Sequence, residues 1–336
     1  MPEKDGLTAA ERRKLLASRI CELPLSVEGS PLGEPVGRLY SELKRSGVLF
    51  RPGVYLSDGW GCPDLVPVIG VPFYLADARL TSVVSACRGY PVEDEAEIMR
   101  YLRHETGHAF NYAYRLYNEA EWQSLYGAFD QPYPEYFPAH PFSSRFVRHI
   151  PGWYTQKHPD EDFAESFAVW LTPGSRWRSR YAGTPALAKL EYVERTFKRL
   201  GKTQPFVAGG PLDRPLGELC FTLGEWCGKG GAYGLPQVNL PSSFKHDLKD
   251  LFPAAAGEPV SALLAGDRWG LMDEVHAMTG TDSDILFALI QEVVRITSAL
   301  KLKVAPGDET RARIRLAILL TTLAAHFQQT GHFVEE

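Results

Sequence analysis

The short stretch HETGH places two histidines, His104 and His108, four residues apart, with Glu105 directly after the first. Residues four apart lie above one another on the same face of a helix, so both imidazoles can reach one ion. Imidazole nitrogen is a preferred zinc ligand, and a glutamate beside it can take a proton from water. The pattern therefore indicates the zinc site of a hydrolase. Two helical histidines with ordinary hydrogen bonds remain the alternative, because these five residues alone do not decide.

A second pair of residues that could do chemistry occurs in PDEDFAESFA, where Glu161 and Glu165 are again four apart. By itself, such a pair is typical of a solvated acidic helix face. Because the chain also carries HExxH, we predict that Glu161 is the third metal ligand, which leaves a fourth position for water. We predict that Glu165 accepts a hydrogen bond from the far ring nitrogen of His104 and so orients that ring.

Other residues near the two motifs offer competing assignments. His158 could replace Glu161 as the third ligand and give a site with three histidines. Asp162 is adjacent to Glu161, but it points about a quarter turn away on a helix. His140 and His149 lie between the motifs, where they could contact a substrate or simply be exposed. We retain Glu161 as the predicted ligand.

The two motifs together resemble the gluzincin metallopeptidases, in which a downstream glutamate is the third ligand, and more narrowly the bacterial zinc-binding metallopeptidases. The stretch SDGWGCPDLVPVIGVPFYLAD is also similar to a segment of that family, and the resemblance covers about residues 38–200. The form E-x-F-A-E-x-F is similar to the active-site helix of anthrax lethal factor and of the proline-proline endopeptidases. This resemblance implies that Tyr154, seven residues before Glu161, stabilises the oxyanion.

Two predicted helices carry the motifs. The first begins after Pro91, where acidic residues suit the positive end of the helix dipole, and it contains HETGH. The second begins at Asp160, predicted as its N-cap, and ends before Pro173. Short strands are predicted at about Gly53–Leu56 and Val66–Leu75. The second is predicted to be an edge strand, because its prolines cannot donate to a ladder.

The predicted fold class is α+β. Residues 1–210 are expected to form a zincin-like catalytic domain, with a small mixed sheet packed on the HExxH helix. The stretch VAGGPLDRP has the composition of a linker, and residues 211–336 are expected to form a mainly helical accessory domain. A peptide or protein substrate is expected to bind as an added strand along the edge near Val66–Leu75.

Charge and composition exclude other classes of function. The net charge is −5, and no basic block occurs, so nucleic acid is not an expected partner. Neither a leader-type apolar core nor an apolar run of about 20 residues occurs, so we expect no membrane partner and a cytoplasmic location. The cysteines are odd in number and scattered, which is typical of free buried thiols. They are Cys21, Cys62, Cys87, Cys220 and Cys227.

We therefore expect a zinc-dependent metallopeptidase that hydrolyses a peptide bond through a metal-activated water. Zn²⁺ is expected on His104, His108 and Glu161, with Glu105 as general base. One alternative is an amidase or isopeptidase that uses the same zinc chemistry on a non-standard amide. A second is a non-catalytic, zinc-stabilised binding module. The enzyme is favoured because the sequence offers a residue for every catalytic role.

Overall fold

A computed structural model describes residues 7–228 and 238–333 of the 336-residue chain. The described residues divide into two compact units. The first comprises residues 7–133, 141–150 and 155–228, and the second comprises 134–140, 151–154 and 238–333. Helices dominate both units, and each unit carries one two-stranded sheet, so the predicted α+β class is confirmed at this coarse level.

The described part of the first unit consists of helices and one pair of short strands. In chain order, they are α1 (Ala9–Ala17), α2 (Gly33–Arg45), β1 (Gly53–Ser57), β2 (Val68–Pro72), α3 (Ala78–Arg88), α4 (Glu95–Tyr114), α5 (Ala120–Tyr126), α6 (Pro159–Leu171), α7 (Trp177–Arg180), α8 (Ala186–Leu200) and α9 (Leu223–Gly228). The two motifs lie on α4 and α6, as predicted.

The second unit has its own elements and its own core. They are α10 (Phe244–Leu251), β3 (Glu258–Pro259), α11 (Val260–Gly266), α12 (Arg268–Thr279), α13 (Ser283–Ala299), β4 (Lys303–Val304) and α14 (Glu309–Thr330). Helices α11 and α12 are separate because the backbone leaves helical geometry at Asp267 (φ −110°, ψ 12°). Strands β3 and β4 are antiparallel, and α11 and α12 pack on α13 and α14. Among the described residues, no helix combines the length and apolar character that a membrane span requires.

The close contact between α4 and α6 is built on small residues. A Cβ atom on Gly107 would lie only 2.7 Å from the Cα of Ala164, so this position of the HETGH motif has room for no side chain. Beyond this contact, Phe110 of α4, Phe167 of α6 and Phe197 of α8 form a buried aromatic cluster. The two motif helices therefore face one another directly, with an apolar core behind them.

The helix that carries the second motif begins two residues earlier than predicted. His158 is the N-cap of α6, because its Nδ1 accepts a hydrogen bond from the Asp160 backbone N–H at 3.2 Å. Pro159 occupies the first helical position, where its fixed φ suits the helix and its missing N–H costs no hydrogen bond. The prediction of Asp160 as N-cap is therefore wrong, and its side chain is free for another contact.

The sheet of the first unit packs on α4, as predicted, but it is smaller than predicted. Strands β1 and β2 are parallel, with Gly53 opposite Val68 and Ser57 opposite Pro72. The predicted mixed sheet is reduced to this parallel pair. Among the described residues, its antiparallel pairing is limited to one bridge between Gly61 and Gly70.

The segment 211–228 was assigned to the accessory domain by sequence, but it belongs to the first unit. Helix α9 packs against α1 and α3, and the Leu223 backbone N–H donates to the Ser18 carbonyl at 3.0 Å. The boundary between the two units therefore lies after residue 228, and the assignment of separate catalytic and accessory domains stays a prediction. All five cysteines are free thiols, but the prediction that they are buried is wrong: Cys87 and Cys220 are exposed, and the other three are partly exposed.

Candidate metal centre

Three ligand-type atoms converge between α4 and α6. His104 Nε2 lies 2.9 Å from Glu161 Oε2 and 3.1 Å from His108 Nε2. His108 Nε2 lies 3.3 Å from the same Glu161 oxygen. All three residues are buried, with 2%, 6% and 4% of their surfaces exposed for His104, His108 and Glu161. This group could hold a metal ion.

Each histidine is oriented by a carboxylate of α6. His104 Nδ1 lies 2.9 Å from Glu165 Oε1, and His108 Nδ1 lies 2.8 Å from Asp160 Oδ2. A carboxylate oxygen accepts, so each Nδ1 carries the hydrogen and each Nε2 is left with a lone pair. Both Nε2 atoms and Glu161 Oε2 thus offer electron pairs to the same point. Either an extra proton or a cation must lie among them.

The distances also suit a small metal ion. In tetrahedral zinc coordination with bonds of about 2.0–2.1 Å, neighbouring ligand atoms are about 3.3 Å apart. The three separations in this group are 2.9, 3.1 and 3.3 Å. Only small side-chain movements are therefore needed to place an ion among the three atoms.

The electrostatics of the group favour positive charge. Burial alone lowers the pKa of His104, but hydrogen bonds to Glu161 and Glu165 outweigh it and raise this pKa to about 9. For Glu161, burial raises the pKa, but the two histidines outweigh it and hold the pKa well below its ordinary value. In the absence of an ion the site therefore retains a proton. A metal must displace this proton, so metal affinity should weaken as the pH falls.

Glu105 lies in the same turn of α4 as His104, and 7% of its surface is exposed. Burial raises its pKa, against the opposing effect of the two histidines, while Glu161 and Asp160 raise it further. A carboxylate with a raised pKa is a better proton acceptor near neutral pH than an ordinary one. Burial and the charge of Glu105 raise the pKa of the Cys62 thiol, so the segment before β2 approaches Glu105.

Asp160 is a site residue that the sequence analysis missed. Its Oδ2 faces His108 and accepts from the Tyr112 hydroxyl at 2.5 Å, and its Oδ1 accepts from Asn111 Nδ2 at 2.7 Å. One signal could have found it. Asn111 and Tyr112 lie three and four residues after His108, so a polar partner was to be expected on that face of α4.

A second missed residue is Tyr133, whose hydroxyl donates to Glu161 Oε1 at 2.5 Å. It lies in the irregular stretch between the motifs, where no sequence period fixes a partner. Tyr154, the tyrosine implied by the resemblance, begins the short 3-10 helix Tyr154–Gln156 and belongs to the second unit. Its role as oxyanion donor stays a prediction.

The competing ligands have other partners. His158 caps α6 through Nδ1, and its Nε2 lies 3.2 Å from the Gln131 carbonyl oxygen, so the geometry does not support a three-histidine site. The Nε2 of His149 lies 3.1 Å from the Arg100 carbonyl oxygen, and burial lowers its pKa to about 4. Asp162 pairs with Lys189, and burial nevertheless raises its pKa to about 6.

The edge of β2 that faces away from β1 is largely occupied. In an extended strand the N–H and C=O of one residue point to the same side, and they alternate along the chain. Gly70 exchanges hydrogen bonds with Gly61 at 2.7 and 3.3 Å, so its backbone groups point away from β1. The backbone groups of Val68 and Pro72, two residues before and after Gly70, point to the same side. Pro72 has no N–H, and the Val68 N–H donates to the Val66 carbonyl at 2.8 Å. This edge, within β2, therefore has no free donor for an added strand.

Comparisons of the chain with protein-family models, with curated proteins and with solved structures found no match. The similarity to the gluzincin metallopeptidases therefore stays a prediction from the residues of the two motifs. The structural findings that bear on function are the buried ligand group, its two orienting carboxylates and the buried Glu105.

Proposed function

We propose that the protein is a zinc-dependent metallopeptidase with a zincin-like catalytic domain. His104, His108 and Glu161 would hold the ion, and Glu105 would act as general base. The observation that carries the proposal is the convergence of three buried lone-pair atoms at 2.9–3.3 Å, with both histidines oriented by carboxylates. Without an ion, an extra proton must bridge these atoms, whereas a metal ion would satisfy all three lone pairs at once.

The donor set of two imidazole nitrogens and one carboxylate oxygen is typical of catalytic zinc sites. Three protein ligands leave one coordination position for a water or a substrate oxygen. A bound zinc ion would supply a Lewis acid that polarises the scissile carbonyl and makes a nearby water more acidic.

The chain itself would move the protons. Glu105 takes one proton from the attacking water as its oxygen bonds to the carbonyl carbon. As the carbon–nitrogen bond breaks, Glu105 delivers that proton to the leaving amine. The two histidines are unsuited to this role, because Glu165 and Asp160 hold their Nδ1 hydrogens and their Nε2 atoms face the ion site. In this proposal Tyr154 donates a hydrogen bond to the oxyanion.

The proposed substrate is a peptide or protein, in a cytoplasmic setting. Docking near Val66–Leu75 as an added strand would require Gly61 to release Gly70, since these two glycines pair in the structure. An amidase or isopeptidase would use the same residues on a non-standard amide. A zinc-stabilised binding module is less favoured, because it gives no reason for a buried Glu105 with a raised pKa beside the ligands.

The decisive experiment separates metal binding from turnover. Wild-type protein should contain one zinc by elemental analysis and should cleave members of a broad peptide library, whereas His108→Ala should lose the zinc. Glu105→Gln should keep the zinc and lose about a hundredfold to ten-thousandfold in turnover, because an amide cannot accept the proton.

Glu95→Gln is the matched control, since Glu95 lies on the same helix with 60% of its side chain exposed. It should behave as wild type. Zinc retention in His108→Ala, or wild-type turnover in Glu105→Gln, would contradict the proposal. A library left uncleaved by zinc-loaded wild-type protein would favour the amidase or the binding module.

A further inference from the structure

The carboxylate of Glu161 is divided between two environments. Its Oε2 faces the two histidines, at 2.9 Å from His104 Nε2 and 3.3 Å from His108 Nε2. Its Oε1 accepts a hydrogen bond from the Tyr133 hydroxyl at 2.5 Å. One oxygen is thus directed to the ion site, and the other is already occupied.

Tyr133 reaches this buried carboxylate from the surface. Glu161 is 4% exposed, whereas Tyr133 is 51% exposed. The Tyr133 ring has the Lys157 ammonium nitrogen 4.6 Å from its centroid and the His158 ring at 5.2 Å. These contacts hold the ring, and the hydroxyl group makes the hydrogen bond to Glu161.

We propose that Tyr133 is a positioning residue that makes Glu161 bind the ion through one oxygen only. The inference rests on the proposed zinc site. Carboxylates can bind metals through one or both oxygens. If Oε1 were free, it could swing to the ion and take the position that catalysis needs for water or substrate. Tyr133 prevents this by occupying Oε1, and so keeps the coordination number low.

Tyr133 is the third member of a consistent set. His104 Nδ1 contacts Glu165, His108 Nδ1 contacts Asp160, and Glu161 Oε1 contacts Tyr133. Every ligand thus has its second polar atom held by a neighbouring side chain. Among these neighbours Tyr133 alone is exposed, so its effect can be tested with little risk to the core.

Cobalt(II) is the probe, because its visible absorption is strong with four ligands and weak with five or six. Tyr133→Phe keeps the ring and removes the hydroxyl. We expect a weaker cobalt band in this variant, because Oε1 becomes a ligand. Zinc affinity, measured by competition with a chelator, should fall by about ten- to a hundredfold because the ligand is no longer oriented. The metal-free variant should unfold at the wild-type temperature.

Tyr136→Phe is the control, because Tyr136 lies in the same irregular stretch and its ring packs on Phe327 at 5.7 Å. Its cobalt spectrum and zinc affinity should match the wild type. A wild-type cobalt spectrum in Tyr133→Phe, whatever its zinc affinity, would overturn this inference and leave the proposed function standing. If wild-type protein itself took up neither zinc nor cobalt, the proposed function would fail and the inference with it.

Discussion

The two histidines of α4 are each oriented by a carboxylate of α6, but the two carboxylates are held in different ways. Glu165 is fully buried, and its Oε2 accepts backbone N–H groups from His149 and Ile150 at 2.5 and 2.8 Å. Asp160 is instead held by side chains. The partner of His104 is therefore fixed by the path of the backbone.

The Asp160 side of the site has more freedom. Its two side-chain donors are the amide of Asn111 and the hydroxyl of Tyr112, at 2.7 and 2.5 Å. An amide can turn over and a hydroxyl can rotate, so each can change from donor to acceptor. The Oδ1 atom of Asn111 has no hydrogen-bond partner among the described residues, so turning this amide would sacrifice no bond of that oxygen.

This difference predicts that the His104 side tolerates substitution less well than the His108 side. On the His104 side, the amide of a glutamine at position 165 would meet His104 and two backbone N–H groups, none of which can turn to accept a hydrogen bond. On the His108 side, the amide of an asparagine at position 160 would meet Asn111 and Tyr112, which can change from donor to acceptor. Three substitutions that keep side-chain size test this comparison, in order of decreasing expected effect.

Glu165→Gln should have the largest effect of the three. Wherever its NH₂ group points, it meets either the His104 Nδ1 hydrogen or the two backbone N–H groups. His104 could escape by moving its hydrogen to Nε2, but that atom is needed for the ion. Zinc affinity by chelator competition should fall by close to a hundredfold, the upper end for such partners.

Glu161→Gln is the reference for Glu165→Gln, because it alters a proposed ligand and should weaken zinc binding still more. The reverse ranking would exchange the roles of the two glutamates.

The residues of this comparison also show what the sequence could and could not predict. HExxH and the two glutamates are local patterns on helices, so their spacing places His104, His108, Glu161 and Glu165 without knowledge of the fold. The structure has Glu165 beside His104 Nδ1, where the spacing predicts it.

The Asp160 side was missed for a local reason. An acidic residue at the start of a helix is a common N-cap, so the sequence favoured that role for Asp160. The pair His158–Pro159 shifts the cap by two residues and turns the Asp160 side chain toward α4. Tyr133 and the Gly61–Gly70 bridge were missed because each contact joins an irregular segment to a helix or a strand, and no periodic pattern encodes such a contact.

Asp160→Asn should have an intermediate effect, of about tenfold in zinc affinity, at the lower end for such partners. The new amide oxygen can remain toward His108 and Tyr112, and its NH₂ group then faces Asn111. Asn111 can turn to present Oδ1, which lacks a partner now. The double variant Asp160→Asn/Asn111→Leu should lose more zinc affinity than the two single variants lose together, because leucine cannot present an acceptor to the new NH₂ group. An Asp160→Asn loss as large as that of Glu165→Gln would end the proposed difference between the two sides.

The smallest effect is expected from Tyr112→Phe, which removes one of the two hydrogen bonds to Asp160 Oδ2 and keeps the aromatic ring. Asp160 would still be held by Asn111 through Oδ1 and would still orient His108. We therefore expect zinc affinity to fall by less than about tenfold, below the usual range for residues that contact a ligand directly.

Tyr114→Phe is the control for this substitution. Tyr114 lies on the same helix, but its hydroxyl donates to the Thr203 carbonyl at 2.6 Å, away from the ligand group, so zinc affinity should not change. A loss in Tyr112→Phe that exceeded the loss in Asp160→Asn would show that the hydroxyl, rather than the carboxylate, orients the His108 side. The proposal that the His108 side adapts to substitution would then be wrong, because the orientation of His108 would depend on the Tyr112 hydroxyl, which Asn111 cannot replace.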